Sequence, residues 1–193
     1  YRKGYFVQEF NADDWQKEKP VQWNPSHELT LLPNRILLTL QGREIQVGVW
    51  VYEIIGSTGY PLTVYFLDKD FEPNHPDDHK LCWYLYGGDN SYRLCQEFIL
   101  GVGGLRMLRD LGYMNIETFH LNEGHAGFLT LELMREQGYY DPDKIREQVV
   151  FTTHTPVPAG HDYFEFGLID RVFPTEALST LKRMMPDVPG VSM

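Results

Sequence analysis

The sequence is poor in cysteine, with only Cys82 and Cys95 among its 193 residues. Neither cysteine belongs to a CxxC pair, which argues against a thiolate metal cluster and a disulfide-stapled fold. Two thiols in a chain of this length are expected to be buried and reduced rather than bridged. This cysteine usage favours a cytoplasmic protein.

Positive charge and long apolar runs are also scarce. The 17 Lys and Arg residues are outnumbered by 27 Asp and Glu residues, which gives a formal net charge of -10. Such a charge repels nucleic-acid phosphates and anionic lipid surfaces, so we expect neither nucleic acid nor a membrane as partner. No apolar run approaches the roughly 20 residues that a membrane-spanning helix needs, and no signal segment opens the chain.

The composition is otherwise that of a globular protein. Hydrophobic residues make up 42% of the chain and aromatic residues 14%, enough for one large or two small cores. The chain starts at Tyr1 rather than at Met and stops at Met193 without a polar tail. We therefore expect residues 1–193 to be a fragment of a larger protein.

The first half of the chain has the pattern of a small antiparallel sheet. Residues 35–68 alternate β-branched or aromatic residues with polar ones, as in the series Val47, Val49 and Val51. Two glycine-containing breaks divide this run, so it predicts a three-stranded β-meander. Residues 68–80 have no apolar periodicity and predict a surface loop.

Residues 91–154 have the pattern of a helix followed by a βαβ unit. Apolar residues recur every three or four positions up to Leu111, which predicts a long helix ended by Gly112. A strand at 116–121, two helices and a strand at 149–153 follow. Parallel strands joined in this way bind ligands at their carboxyl ends. The predicted fold class is therefore α/β, with the meander inserted before the βαβ unit.

Local signals set further helix boundaries. Gly138 is expected to end the first helix of the βαβ unit, and Asp141 to cap the second. Two short helices are predicted within residues 164–185. Gly101 and Gly103 lie inside a helical pattern rather than after a strand, so we expect close packing of this helix instead of a phosphate-binding loop.

Polar residues follow both strands of the predicted βαβ unit. Asn122, Glu123 and His125 come after the first strand, and His154 comes after the second. Because the carboxyl ends of parallel strands meet at one edge, we expect these four residues to face one crevice. Two structural alternatives stay open, namely Asn122 as a helix N-cap and His125 as a core histidine bonded to backbone.

A metal centre is a further alternative for the histidines. The candidate ligands lie within 42 residues of one another and are His120, Glu123, His125, His154 and His161. They contain no pair of ligands at i and i+4 on one helix, as the HExxH motif does. We therefore predict no metal site among them.

Four strings carry a family resemblance. Residues 1–8 read YRKGYFVQ, residues 85–90 read LYGGDN ahead of RLCQE at 93–97, residues 120–126 read HLNEGHA, and residues 150–162 read VFTTHTPVPAGHD. In this order and spacing they resemble the amino-terminal half of the α-glucan (glycogen, starch or maltodextrin) phosphorylases, most closely the shorter bacterial and archaeal branch. The resemblance covers nearly the whole chain.

The resemblance implies a fold and a reaction. It implies that residues 1–193 are part of the amino-terminal, glucan-side Rossmann-like domain of a two-domain glycosyltransferase of the GT-B type. That enzyme splits a terminal α-1,4-linked glucose from a glucan with phosphate and releases glucose 1-phosphate. In the family, pyridoxal phosphate is attached to a lysine of the carboxy-terminal domain, and this chain is expected to lack that domain. The chain alone is therefore expected to be inactive, and the parent enzyme could be a homo-oligomer.

The resemblance also implies a set of substrate-binding residues. Asp89 and Asn90 match the loop that covers the family's catalytic cleft, whose Asn bonds the bound glucose. Glu123 and His125 match residues that line the glucose pocket, although the common animal pattern has Asp and Thr where this chain has Glu123 and Gly124. His154 matches a residue whose backbone carbonyl accepts a glucose hydroxyl. The predicted set is completed by Asn122, with no catalytic, cofactor-binding or metal residue in the chain.

Two other functions stay open. In a GT-B glucan synthase that consumes a nucleotide sugar, a similar βαβ unit would line the acceptor site. A non-catalytic glucan-binding module could stack sugar rings on Trp15, Trp23 or Trp83, although such residues are more often buried. The string from Thr152 to Asp162 fits phosphorylases better than a glucan synthase.

Overall fold

The computed structural model describes residues 6–10, 12, 16–20, 24–84, 88–138, 141–157 and 160–193, with the backbone alone for residues 6–9 and 16–20. The motif residues 1–5, 85–87 and 158–159 lie outside the described part, as do Trp15, Trp23 and the side chain of Cys82. No helix among the described residues is long and apolar enough to cross a membrane.

The described residues form strands and helices in groups along the chain. The strands are β1 (Phe6–Phe10), β2 (Gln16–Pro20), β3 (Thr30–Leu40), β4 (Arg43–Ile55), β5 (Pro61–Asp68), β6 (Phe119–Asn122), β7 (Val149–Thr152), β8 (Tyr163–Glu165) and β9 (Gly190–Ser192). The helices are α1 (Pro25–Glu28), α2 (Pro76–His79), α3 (Asn90–Phe98), α4 (Gly104–Asp110), α5 (Leu129–Gln137), α6 (Pro142–Gln148), α7 (Phe166–Val172) and α8 (Thr175–Met184).

The predicted meander is present as the antiparallel sheet β3-β4-β5. Its strands are longer than the pattern indicated, because β3 begins at Thr30. Alternate side chains of β3 and β4, such as Leu38, Ile45 and Val47, are fully or almost fully buried against the helices. A period of two with one buried face is what an antiparallel sheet packed on one side requires.

The segment after the meander is not the surface loop that its polar sequence predicted. It contains helix α2 and the short 3₁₀ turn Lys80–Cys82, and Lys69 is completely buried. The Asn74 side chain explains why this segment is folded against the sheet. Its amide nitrogen donates to the carbonyls of Gln46 and Lys69, both at 2.7 Å, and its oxygen accepts from the Gln46 N–H at 2.8 Å. The hydrogen bonds of this buried amide therefore hold the segment against the sheet edge. Such bonds produce no periodic hydrophobic pattern in the sequence.

The predicted long helix is one continuous helical segment made of α3, a π-helical turn at Ile99–Gly103 and α4. A Cβ on Gly101 would lie 2.7 Å from the Leu129 nitrogen, and one on Gly103 would lie 3.0 Å from Leu38 Cδ1. The predicted close packing of these glycines is therefore confirmed. Gly112, with φ +93°, follows the end of the segment.

The βαβ unit is present, with β6 and β7 parallel and in register from Phe119 opposite Val149 to Asn122 opposite Thr152. Between the strands, a 3₁₀ turn at Gly124–Ala126 precedes α5 and α6. As predicted, Gly138 ends α5 in the left-handed conformation, and Asp141 caps α6 by accepting from two backbone N–H groups. The described fold is mixed α/β, with antiparallel sheets and one parallel pair.

The carboxy-terminal residues pack back onto this unit. Helices α7 and α8 confirm the two predicted short helices, and β8 pairs with β9 in an antiparallel manner. The Met193 N–H donates to the Asp162 carbonyl at 2.8 Å. A Cβ on Gly124 would lie 2.2 Å from the Met193 carbonyl carbon, so the end of the chain contacts the turn after β6 directly.

Candidate functional site

The carboxyl ends of β6 and β7 bring Asn122 and His154 together. The Nε2 atom of His154 lies 3.0 Å from the Asn122 side-chain oxygen. Asn122 therefore does not cap the following helix, because Glu123 directly precedes the 3₁₀ turn and no side chain caps it. The expectation that both strand ends face one edge is met for this pair.

Glu123 joins the same group through its carboxylate. Its Oε1 accepts from the His154 N–H at 2.6 Å and from the Thr155 hydroxyl at 3.2 Å. The His154 N–H, followed by the hydroxyls of Thr153 and Thr155, lowers the pKa of Glu123 below the ordinary value. Glu123 is 8% exposed, and its Oε2 is buried without a hydrogen-bond partner.

The backbone of Glu123 is strained. Its φ of 60° and ψ of -173° lie in a region that almost only glycine adopts. The conformation is held by the Glu123 N–H, which donates to the Thr152 carbonyl at 2.8 Å. Such strain persists only where the surroundings fix it, and it clusters at functional sites.

His125 lies in the turn after β6 and faces helix α3. Its Nδ1 is 3.6 Å from Glu97 Oε1, and its side chain is 41% exposed. It is therefore not a core histidine bonded to backbone. Burial raises the pKa of Glu97 to about 7, and Glu97 in turn raises the pKa of His125 above the ordinary value.

Arg93 and Asp162 complete this second group. The Arg93 guanidinium donates to Asp162 Oδ2 in a short contact and lies 3.7 Å from Glu97 Oε1. Sequence reasoning missed Arg93, Glu97 and Asp162 as site residues. The available signal was their place inside the strings at 93–97 and 150–162, where the first two stand at i and i+4 on one face of α3.

Asp89 and Asn90 lie at the start of α3. The Asp89 carboxylate caps this helix by accepting from the Tyr92 N–H at 2.9 Å, and Asn90 is exposed in its first turn. They lie at the beginning of the same helix that carries Arg93 and Glu97 in its later turns. Their assignment to a covering loop remains a prediction.

The five residues that were considered as metal ligands do not converge. His120 Nε2 lies 2.7 Å from the Thr152 hydroxyl, and His161 Nδ1 lies 3.3 Å from the Met193 carbonyl oxygen. The His154 ring meets the Asn122 side-chain oxygen, and the Glu123 carboxylate accepts from the His154 backbone N–H, so neither side chain points at a centre shared with the others. Trp83, considered for sugar stacking, is half-buried and donates to Asp70 at 3.4 Å.

The site is rich in hydrogen-bond acceptors. Its residues include the carboxylates of Glu97, Glu123 and Asp162, the amide of Asn122 and two imidazoles, but Glu97 and Glu123 are buried, and Arg93 is engaged by Asp162. Convergent amides, carboxylates and imidazoles recognise neutral hydroxyl groups well. Of these groups, the exposed Asn122 and His154 and the partly exposed His125 are accessible from solvent.

Comparison with known proteins agrees with the strings. No protein-family model matches the chain. The chain is 36% identical to the maltodextrin phosphorylase of Thermococcus litoralis over 183 residues, which cover 89% of the chain and 21% of that protein. It is 36% identical to the glycogen phosphorylase of Mycobacterium tuberculosis over an alignment of 215 residues, which covers 98% of the chain and 24% of that protein. It is 28% identical to the glycogen phosphorylase of Aquifex aeolicus over 190 residues, which cover 90% of the chain and 26% of that protein.

The chain thus spans about a quarter of the length of the curated relatives that it matches. The matches extend over almost all of its own length, as the order of the four strings led us to expect. They confirm the predicted resemblance. By sequence, this chain is a relative of the glycogen and maltodextrin phosphorylases and corresponds to a segment of such a protein.

Proposed function

We propose that the chain forms part of the glucan-binding wall of an α-glucan phosphorylase. The parent protein would transfer a terminal α-1,4-linked glucose to phosphate and release glucose 1-phosphate. The observation that carries this proposal is the 36% identity to a maltodextrin and a glycogen phosphorylase over nearly the whole chain. The same identity supports a place in the amino-terminal Rossmann-like domain of a GT-B enzyme, with residues 35–68 as the inserted meander and residues 91–154 as its core.

The proposed substrate-binding residues are the predicted set of Asp89, Asn90, Asn122, Glu123, His125 and His154. In this proposal the His154 carbonyl accepts a glucose hydroxyl, and the exposed Asn90 amide bonds the sugar from the first turn of α3. The bond from the His154 N–H to Glu123 at 2.6 Å fixes the peptide between Thr153 and His154, which adjoins the peptide that contains the His154 carbonyl. Glu123 thereby orients the β7 end toward the ligand.

Pyridoxal phosphate does not fit the residues of this site. A phosphate group needs positive charge or free N–H donors, and an attachment point needs a lysine. The described site consists of carboxylates, an amide and imidazoles, and its guanidinium, Arg93, is bound to Asp162. We propose that the parent binds the cofactor through a lysine in its carboxy-terminal domain and that the 193-residue chain alone is inactive. Cytoplasmic location and a homo-oligomeric parent belong to the same proposal.

The test is an assay of the full protein that contains this chain. Maltodextrin and phosphate are supplied with and without pyridoxal phosphate, and glucose 1-phosphate is measured. We expect cofactor-dependent product, and we expect Asn90→Ala to lower kcat/KM about 10- to 100-fold because one hydrogen bond to substrate is lost. Asn115→Ala, at an exposed position outside the site, is the matched control and leaves kcat/KM unchanged.

Other outcomes point to other functions. Consumption of a nucleotide sugar without any response to phosphate would replace the proposal with a glucan synthase. Saturable oligosaccharide binding without turnover by the cofactor-loaded protein would replace it with a binding module. An Asn90→Ala variant as active as Asn115→Ala would refute the role of Asn90 while leaving the reaction intact.

A further inference from the structure

Glu97 is a buried carboxylate whose hydrogen-bonding capacity is unmet. Its side chain is 4% exposed, and neither oxygen has a hydrogen-bond partner. A buried acidic group without such partners is expensive, so its presence calls for a specific reason. Arg93 and His125 lie 3.7 and 3.6 Å from its Oε1, beyond hydrogen-bond distance.

The gaps around Glu97 match the spacing of ligands that share one metal ion. Donor atoms of Glu97, His125 and Asp162 all lie within 4.8 Å of one another. Two ligand atoms that each lie about 2.1 Å from a tetrahedral zinc ion are separated by about 3.4 Å. The 3.6 Å between His125 Nδ1 and Glu97 Oε1 is close to this value. An approach of at most about 1.4 Å would bring the most widely separated donors to this spacing.

The ligand types and the charges agree with a divalent cation. Imidazole nitrogen and carboxylate oxygen are both zinc ligands, and three protein ligands are the number found in zinc sites that keep an open position. A bound metal ion requires an ionised Glu97 and a neutral His125. In that state two carboxylates and one guanidinium leave one negative charge for the cation to compensate. Arg93, which donates to Asp162 Oδ2, would act as the outer partner that orients a ligating carboxylate.

We propose that Glu97, His125 and Asp162 form a binding site for one divalent transition-metal ion of the zinc class. The site joins helix α3, the turn after β6 and the segment before β8. It would tie together three parts of the chain that are distant in sequence. The proposal shares His125 with the proposed substrate-binding set, but it does not rest on the proposed function, because its test measures metal binding and not phosphorolysis.

The test uses the untagged 193-residue chain, freed of metal with a chelator. Zinc binding is followed by calorimetry, and cobalt(II) is used as a coloured probe of the ligand set. We expect one ion per chain, a cobalt absorption band typical of four-coordinate nitrogen and oxygen ligands, and at least 100-fold weaker binding in Glu97→Gln. Glu132→Gln, which alters another buried glutamate, is the control and keeps wild-type affinity.

His125→Gln provides a second variant if Glu97→Gln fails to fold, which circular dichroism would reveal. Loss of binding in His125→Gln with binding retained in Glu132→Gln supports the site. Absence of stoichiometric zinc binding by the folded wild-type chain overturns the proposal, as does unchanged affinity in a folded Glu97→Gln or His125→Gln variant. None of these outcomes depends on phosphorolysis, so this proposal and the proposed function fail separately.

Discussion

Replacing Gly101 by alanine would test the packing that positions the candidate site. Gly101 lies in the π-helical turn between α3 and α4 and faces the backbone that leads from His125 into α5. An added Cβ would lie 2.7 Å from the Leu129 nitrogen and 3.0 Å from the Phe128 carbonyl carbon. Both atoms belong to backbone, so they cannot rotate away.

The expected effect follows from two opposing terms. Overpacking of this kind costs about 1–3 kcal/mol, whereas exchange of glycine for alanine inside a helix gains up to about 1 kcal/mol. Gly104→Ala is the matched control, because it lies three residues later and has no atom within 4 Å of an added Cβ. The helix gain cancels between the two variants, so their stabilities should differ by the packing cost alone, about 1–3 kcal/mol.

Urea unfolding of the wild-type chain and both variants, followed by circular dichroism, measures this difference. We expect Gly104→Ala to be at least as stable as the wild-type chain and Gly101→Ala to unfold at a clearly lower urea concentration. Equal midpoints for the two variants would refute the close approach of the helix to the Phe128–Leu129 backbone.

Two further predictions concern buried glutamates. Glycine adopts the φ of 60° found at Glu123 without strain, whereas alanine does not. Both Glu123→Gly and Glu123→Ala lose the bond to the His154 N–H, so the glycine variant should melt at the higher temperature. Equal melting temperatures would contradict the strained backbone. Burial raises the pKa of Glu132, but hydrogen bonds from Arg106 and Arg135 outweigh it and leave that pKa below the ordinary value. Its stabilising contribution is therefore complete above the unfolded pKa of about 4.3 and is lost as the pH falls through the lower folded pKa. Between pH 7 and pH 3, the urea concentration at the unfolding midpoint should decrease less in Glu132→Gln than in the wild-type chain. An equal decrease in both would refute this linkage.

The regular elements were predictable because their signals are local. The alternation around Val47 gave the meander, and the left-handed Gly138 and the capping Asp141 gave helix boundaries. The buried segment after β5 was missed because it is held by the Asn74 amide, whose partners are distant in sequence. Hydrogen bonds between distant residues leave no periodic trace.

The candidate site was predictable in part. The parallel register of β6 and β7 explains why Asn122 and His154 meet, and the strand-end rule anticipated this. Glu97 was not singled out, because a glutamate inside an amphipathic helix is indistinguishable from one on a solvated face until its neighbours are known. The strain at Glu123 could not be foreseen either, since nothing in its residue type favours a positive φ.

The parallel pair β6–β7 also has a consequence for handling this protein. Parallel sheets are normally covered on both faces, yet Val150 and Phe151 of β7 are 50% and 51% exposed. Within the described residues, each of the two strands pairs only with the other, so no third strand there bonds the backbone groups of their outer edges. Apolar side chains beside open strand edges favour association between copies. Concentration-dependent light scattering by the 193-residue chain would therefore report on this surface.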